Sequence, residues 1–298
     1  MDMLRITGLR KRFGDKTVLD GLDLTVPKNS IFGFIGQNGA GKTTTMKTVL
    51  GLLQADEGEI FVDGEKVVYG QTPTNRHIGY LPDVPEFYSF MTAPEYLHFC
   101  GQITGMKNTE IESRSKELLE LVGLGNEKHR IKGFSRGMKQ RLGIAQALLN
   151  RPKLLICDEP TSALDPVGRK EILDILLAAR EQTTVLFSTH ILSDVERICT
   201  DIAFLHGGKT VIQGKLSDIK AKYRSKEYLL ETENAADAAT LQKVFPAMHR
   251  TDNQLTFSEN DYNLFAVLQS VTDRRINILK VERMEPTLET LFMEVVEK

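Results

Sequence analysis

No apolar run in this chain approaches the roughly 20 residues that cross a bilayer. The longest candidates, SIFGFIG at 30–36 and KLLIC at 153–157, have the length of core strands. The opening MDMLRITGLRKRF has neither the apolar stretch nor the small-residue cleavage site of a secretory signal, so the expectation is a soluble, cytoplasmic protein. Cysteine is scarce: Cys100, Cys157 and Cys199 are odd in number, widely spaced and set among apolar neighbours. That argues against a disulfide framework and for buried free thiols in a reducing compartment. Neither sign of charge is in excess, with 38 Lys and Arg against 40 Asp and Glu, which argues against a polybasic nucleic-acid binder. Internal repeats, low-complexity tracts and sustained heptads are also missing. What remains is an ordinary composition, 41% hydrophobic, in 298 residues, enough for one large domain or one large and one small.

The pattern along the chain is that of an α/β protein. Leu4 to Val26 reads as extended segments with turn signals at Gly14-Asp15 and Asp20-Gly21, which suggests a small antiparallel sheet. SIFGFIG reads as a buried strand, followed by a glycine-rich turn and a helix from about Lys42 to Leu53. From Thr92 to Asn150 the sequence is mostly helical, with Thr92 and Glu95 spaced as a capping box and ESRSKELLELVGLG closing on glycine. Apolar runs at KLLIC, TTVLFS (183–188) and IAFL (202–205), with the helical GRKEILDILLAAR between the first two, imply a parallel sheet. The helical block then reads as an insertion into an α/β core, and HGGK at 206–209 as a hairpin turn. After about Leu216 come extended YLLET, NQLTFSE and INILKVE and helical AADAATLQKVF, NLFAVLQSV and TLETLFMEVVE, the last with Pro286 just ahead. These predict a small α+β domain joined through the polar IKAKYRSKE.

Two stretches carry chemistry. Gly36-Gln37-Asn38-Gly39-Ala40-Gly41-Lys42-Thr43 fits the phosphate-loop pattern GxxxxGK[ST], placed between a strand and a helix. Glycines let successive N–H groups turn inward, the helix N-terminus adds positive potential, Lys42 neutralises phosphate charge and the Thr43 hydroxyl suits Mg²⁺. KLLICDE ends a buried strand with Asp158 and Glu159, where ligands collect in parallel sheets. Asp158 is placed to hold Mg²⁺ through its water shell and Glu159 to act as general base.

FSRGMKQRLGIAQALLNRPKLLICDEPTSALDP (134–166) and STH (188–190) resemble, in order and spacing, the signature motif, Walker B strand, D-loop and switch histidine of the ATP-binding subunit of ABC transporters. The resemblance covers about residues 3–216. It implies a P-loop NTPase core with an antiparallel β subdomain and an inserted helical subdomain at about 88–150, making 1–216 the ATPase domain and 217–298 an accessory α+β domain. It implies ATP held by 36–44, Gly36 through Thr44, with Phe13 stacking on adenine and Val18 beside it. Lys42, Glu159 and His190 would be the catalytic set, His190 sensing the γ-phosphate, with Mg²⁺ at Thr43 and Asp158. Ser135, Arg136, Gly137 and Met138 would reach ATP on a second protomer, with Asp165 joining the two in a head-to-tail homodimer. FSRGM departs from the common LSGGQ, with Arg136 at the third position.

The same resemblance implies a separate membrane permease as partner and a peripheral position on the inner face of the membrane. SRGMKQRL and the terminal EPTLETLFMEVV resemble drug, antibiotic and polysaccharide exporters. A soluble ABC ATPase acting in regulation, translation or DNA maintenance is the rival, and such proteins usually carry two cassettes or long coiled-coil or zinc-bearing insertions. For 217–298, dimer support, regulation and capping of the core are all compatible with the sequence.

YLPDVPEFY at 80–88 is a stiff acidic loop, because Pro82 and Pro85 fix φ and remove donors. The family has a glutamine here that reaches Mg²⁺, whereas this chain has Asp83. The expectation is that Asp83 meets Mg²⁺ through a water, or acts as a conformational relay, and that neighbouring carboxylates raise its pKa. Phe87 and Tyr88 would offer an apolar face to a coupling helix of the permease.

Overall fold

The computed structural model describes residues 2–70, 73–223, 226–284 and 287–296. It divides into two compact units, Met1–Leu216 and Ser217–Lys298.

The first unit holds two sheets. An antiparallel one has the order β2 (Lys16–Pro27), β1 (Asp2–Phe13), β4 (Glu57–Val62), β5 (Glu65–Lys66). The other has the order β10 (Lys209–Lys215), β9 (Asp201–His206), β3 (Ile31–Ile35), β8 (Thr184–Thr189), β7 (Leu154–Asp158), β6 (Ile78–Leu81), parallel except for β10. Strands β3, β7 and β8 are buried at every residue. That is why they read as unbroken apolar runs rather than alternating ones. The inner faces of both sheets share one core, in which Leu4, Ile6 and Leu24 meet Phe32, Phe34, Ile156 and Leu186 together with Met46 and Val49 of α1 (Lys42–Val49).

Several local expectations change in the structure. Gly14 turns between β1 and β2, but Asp20-Gly21 is no turn: β2 runs through it, and the register slips from Leu9↔Leu22 to Arg10↔Asp20 with Gly21 at φ 82°. A glycine in a strand interior signals a bulge as readily as a turn. Helix α1 stops at Val49 rather than Leu53, because Gly51 at φ 66° ends it. Gly207 and Gly208, at φ 55° and 76°, do make the β9–β10 hairpin. Of the cysteines, Cys157 is buried and Cys100 and Cys199 are half-buried. All are free thiols, and desolvation raises the pKa of each.

Between β6 and β7 lie α2 (Ala93–Ile103), α3 (Asn108–Leu121) and α4 (Arg136–Leu148). Thr92 N–H donates to Glu95 Oε2 at 2.8 Å, capping α2. The block is more than an insertion, since β6 and β7 are adjacent parallel strands and a parallel pair requires a crossover. Helix α4 packs against that sheet edge: a Cβ on Gly143 would lie 2.5 Å from Leu81 Cδ1. Helices α5 (Pro166–Ala179) and α6 (Leu192–Ile198) complete the unit, and α7 (Leu216–Lys222) leads out of it.

The second unit runs β11 (Glu227–Thr232), α8 (Ala235–Val244), β12 (His249–Thr251), β13 (Gln254–Ser258), α9 (Leu264–Asp273), β14 (Ile278–Arg283), α10 (Leu288–Val296). Its sheet order β12-β13-β11-β14, all antiparallel, is that of a split βαββαβ fold. Leu230, Leu255 and Phe257 pack with Leu241, Val267 and Val271 in its own core. Arg224 and Ser225 of the connecting stretch, and Pro286, lie outside the described residues. Among the described residues no helix is long and apolar enough to cross a membrane.

Candidate ATP site

The loop between β3 and α1 needs glycine at two points. A Cβ on Gly36 would sit 2.8 Å from Leu205 O, and one on Gly41, at φ 109°, would sit 2.7 Å from Leu19 Cδ2. Gly41 is also the N-cap of α1, so the free N–H groups of the first turn open at this loop. Lys42, buried, donates from Nζ to Gly36 O at 2.6 Å and Gln37 O at 3.2 Å, and pairs with Glu159 Oε1 at 3.1 Å.

At the end of β7, Asp158 is held from both sides. Thr43 Oγ1 donates to its Oδ2 at 2.7 Å and Ser188 Oγ to its Oδ1 at 2.6 Å. Ser188 follows from the ladder, since Asp158 and Ser188 are paired residues of parallel β7 and β8. Glu159 leaves the strand at φ 48°, with its N–H donating to Ser188 O and Oγ. That turn aims its carboxylate back at the loop, where Oε2 lies 2.9 Å from His190 Nδ1. A cleft of about 480 Å³ opens over this set, lined among others by Lys42, Thr43, Asp83, Glu159, Ser162 and His190.

The structure thus brings Lys42, Thr43, Asp83, Asp158, Glu159 and His190 together. Val18, Asn38, Gly39, Gly41 and Thr44 also line the cleft, while Phe13 stands exposed at the end of β1 outside that lining. Gln37 contributes its backbone carbonyl to Lys42, and Ala40 N–H closes the loop onto Gln37 O at 3.1 Å. Ser135 caps α4, its Oγ accepting from Met138 N–H at 3.2 Å, and Asp165 caps α5, accepting from Gly168 N–H at 3.1 Å. Ser135, Arg136, Gly137, Met138 and Asp165 lie outside the lining of the cleft within one chain. Sequence reasoning missed Ser162 and Ser188. Ser188 ends the apolar run TTVLFS, but its pairing with Asp158 depends on a strand register that the sequence does not show.

Asp83 occupies a contested position. Its backbone oxygen accepts from Gln140 Nε2 at 2.7 Å, and its Oδ1 lies 3.7 Å from Arg136 Nη2, shut off from solvent without a hydrogen-bond donor. Its pKa is raised, first by desolvation, with Arg136 opposing and Asp158 and Glu159 adding to the rise. The direction matches expectation, but burial leads and the neighbouring carboxylates come second. Thr43 Oγ1, Asp158 Oδ2 and the orphaned Asp83 Oδ1 are hard oxygen atoms of the kind magnesium takes, although among the described residues no three carboxylate, histidine or cysteine side chains cluster as a metal site.

Residues 19–162 match the family model described as ABC transporter, and residues 214–296 that described as ATP-binding protein DrrA1-3-like, C-terminal domain. The ABC transporter ATP-binding protein YxlF of Bacillus subtilis is 37% identical over 298 residues, spanning 99% of both chains. The chain belongs to the ABC transporter ATP-binding proteins. This ABC ATPase is also 40% identical over 239 residues to the bacitracin transport ATP-binding protein BcrA of Bacillus licheniformis, covering 78% of this chain and 77% of that one. A solved ATP-binding subunit of an ABC transporter superposes with a TM-score of 0.65 at 32% identity, over 74% of this chain and 93% of the other. Members of the family are ATPases, so ATP is the substrate of this chain, and its larger unit has the P-loop ABC ATPase fold.

Proposed function

We propose that this ATPase powers a separate membrane permease that exports antibiotics or related hydrophobic or polymeric compounds. The observation that carries the catalytic part is the convergence of Lys42, Glu159 and His190 on one cleft at the phosphate loop. Lys42 is placed to neutralise phosphate charge, Glu159 to accept a proton from the attacking water and His190 to contact the γ-phosphate. Entry of phosphate at Lys42 would draw the ammonium away from Glu159 and leave that carboxylate free to act as base. Thr43, Asp158 and Asp83 would hold magnesium, which when bound neutralises charge on the phosphates.

Ser135, Arg136, Gly137, Met138 and Asp165 lie outside the cleft of their own chain, which supports the reading that they serve the site of a second, head-to-tail copy. Transport by BcrA supports the exporter assignment. Docking on a permease would place the protein at the inner face of the membrane, through 80–90. There Phe87 packs edge-on against Tyr96 at 5.0 Å, while Tyr88, beside Phe99 at 5.4 Å, and Phe90 stand exposed. The apolar face offered to a partner is therefore Tyr88 with Phe90 rather than Phe87 with Tyr88. Residues 217–298 are assigned as the accessory domain of the same machine.

Co-purification with any membrane protein encoded beside it, followed by ATPase assays with candidate antibiotics, tests this reading. Stimulation of hydrolysis is the expected result, and failure to associate with any membrane subunit would overturn it.

A further inference from the structure

Behind the cleft, two hydrogen bonds and two short runs of chain close a ring. His190 Nδ1 meets Glu159 Oε2 at 2.9 Å. Thr161, just past Glu159, donates from Oγ1 to Asp194 Oδ2 at 2.7 Å. Asp194 lies in α6, one turn of chain beyond His190, so the path returns to its start. The remaining oxygen, Asp194 Oδ1, pairs with Arg169 Nη2 at 2.7 Å. Arg169 stands in the first turn of α5, whose N-cap is Asp165.

Asp194 is 4% exposed and Thr161 1% exposed, so neither partner has water as a substitute. A buried carboxylate persists when both oxygens are met, and here one is met from the turn after β7 and the other from α5. The turn itself needs restraint. Glu159 and Ala163 sit at φ 48° and 52°, a conformation that residues with a Cβ avoid. Ser162 N–H to Glu159 O at 3.0 Å and Leu164 N–H to Thr161 O at 3.3 Å shape the turn, and the Thr161 hydroxyl is its anchor to α6.

We propose that Asp194 is a positioning residue for ATP hydrolysis. Through Thr161 it sets the turn that aims Glu159, through the start of its own helix it sets the segment that carries His190, and through Arg169 it keeps both in step with the helix capped by Asp165. Its side-chain oxygens are engaged by Thr161 and Arg169, and it lies outside the lining of the cleft. The inference rests on the roles given above to Glu159 and His190.

The test uses the full chain and steady-state ATPase kinetics. Asp194→Asn keeps the shape but removes the charge that holds Arg169. Thr161→Val removes the hydroxyl without adding a buried charge, and decides the question should Asp194→Asn not fold. Both are expected to lower kcat by about tenfold. The KM for ATP should stay within about twofold, because the phosphate loop is untouched. Thr161→Ser, a poorer match in shape than valine but still a donor, should restore the rate. Wild-type kcat in both Asp194→Asn and Thr161→Val, kcat and KM moving together, or Thr161→Ser as impaired as Thr161→Val would each overturn the proposal. Glu159→Gln and His190→Ala, measured alongside, separate the two levels. Full activity in those variants overturns the site reading and this inference together. Inactivity there with wild-type kcat in Asp194→Asn and Thr161→Val overturns the inference alone.

Discussion

Lys42 and Glu159 are joined by a 3.1 Å ion pair, the lysine buried and the glutamate side chain 14% exposed. In the proposed mechanism the cation that would meet phosphate is held by the carboxylate that would activate water, so the two would stay paired until nucleotide arrives. In Glu159→Gln, Lys42 loses its competitor. ATP affinity should rise severalfold while turnover falls by about a hundredfold or more, with the closed dimer favoured. Equilibrium binding, gel filtration with ATP and phosphate release check this; near-normal turnover would sink the role of Glu159.

Gly41→Ala should cost about 1–3 kcal/mol and most of the ATP affinity. At φ 109° its Cβ would lie 2.7 Å from Leu19 Cδ2 and 3.2 Å from Val18 O, so the loop must shift off its cradle. Thermal unfolding and nucleotide titration would show it, and a stable variant with wild-type affinity would refute the cradle geometry.

Asp63 follows β4 and pairs with Lys153 at 2.5 Å and Lys28 at 2.5 Å, which together hold its carboxyl at about 2 against an ordinary 3.8. A depressed carboxyl pKa stabilises the fold above the ordinary value, and the contribution fades as pH falls toward about 2. Asp63→Asn, which tolerates the φ of 48° there, should cost about 1–2 kcal/mol at pH 7. The gap between the two proteins should close in acid. Urea midpoints at pH 7 and pH 3 measure it, and a gap independent of pH would exclude the ion pairs as its source.

Asp83→Ala should raise the Mg²⁺ concentration needed for half-maximal ATPase activity. An unchanged Mg²⁺ profile and rate would remove any ligand role and leave the loop as a relay alone.

Tyr88→Ala combined with Phe90→Ala removes two exposed rings, of which Tyr88 also packs on Phe99 and the buried Tyr96, so Phe90→Ala alone serves as the control for packing. Loss of co-purification with the permease at an unchanged melting temperature is expected, and intact association would place docking elsewhere.

The phosphate loop was legible because its chemistry is local: eight consecutive residues contain the glycines, the lysine and the threonine, and the flanking apolar run identifies the strand. Asp158 and Glu159 were legible for the same reason. Ser188 and Asp194 were not, because their contacts depend on the β7–β8 register and on where α6 docks, and neither leaves a mark on the intervening sequence. Gly21 misled because a strand bulge and a turn demand the same positive φ. The short β5 and β12 have too few residues to show alternation, and the exposure of Phe90 is decided by packing around Tyr88 and Phe99.

Helix α4 carries Ser135 at one end, and along its length Gln140 donates to the backbone of Asp83 while Gly143 lies against Leu81. The crossover that completes the parallel sheet is therefore also the carrier of Ser135, tied at mid-length to the loop proposed to meet the permease. If the loop docks on a permease as proposed, a displacement there would pass through Gln140 into the helix that begins at Ser135, and so toward the site proposed for a second protomer.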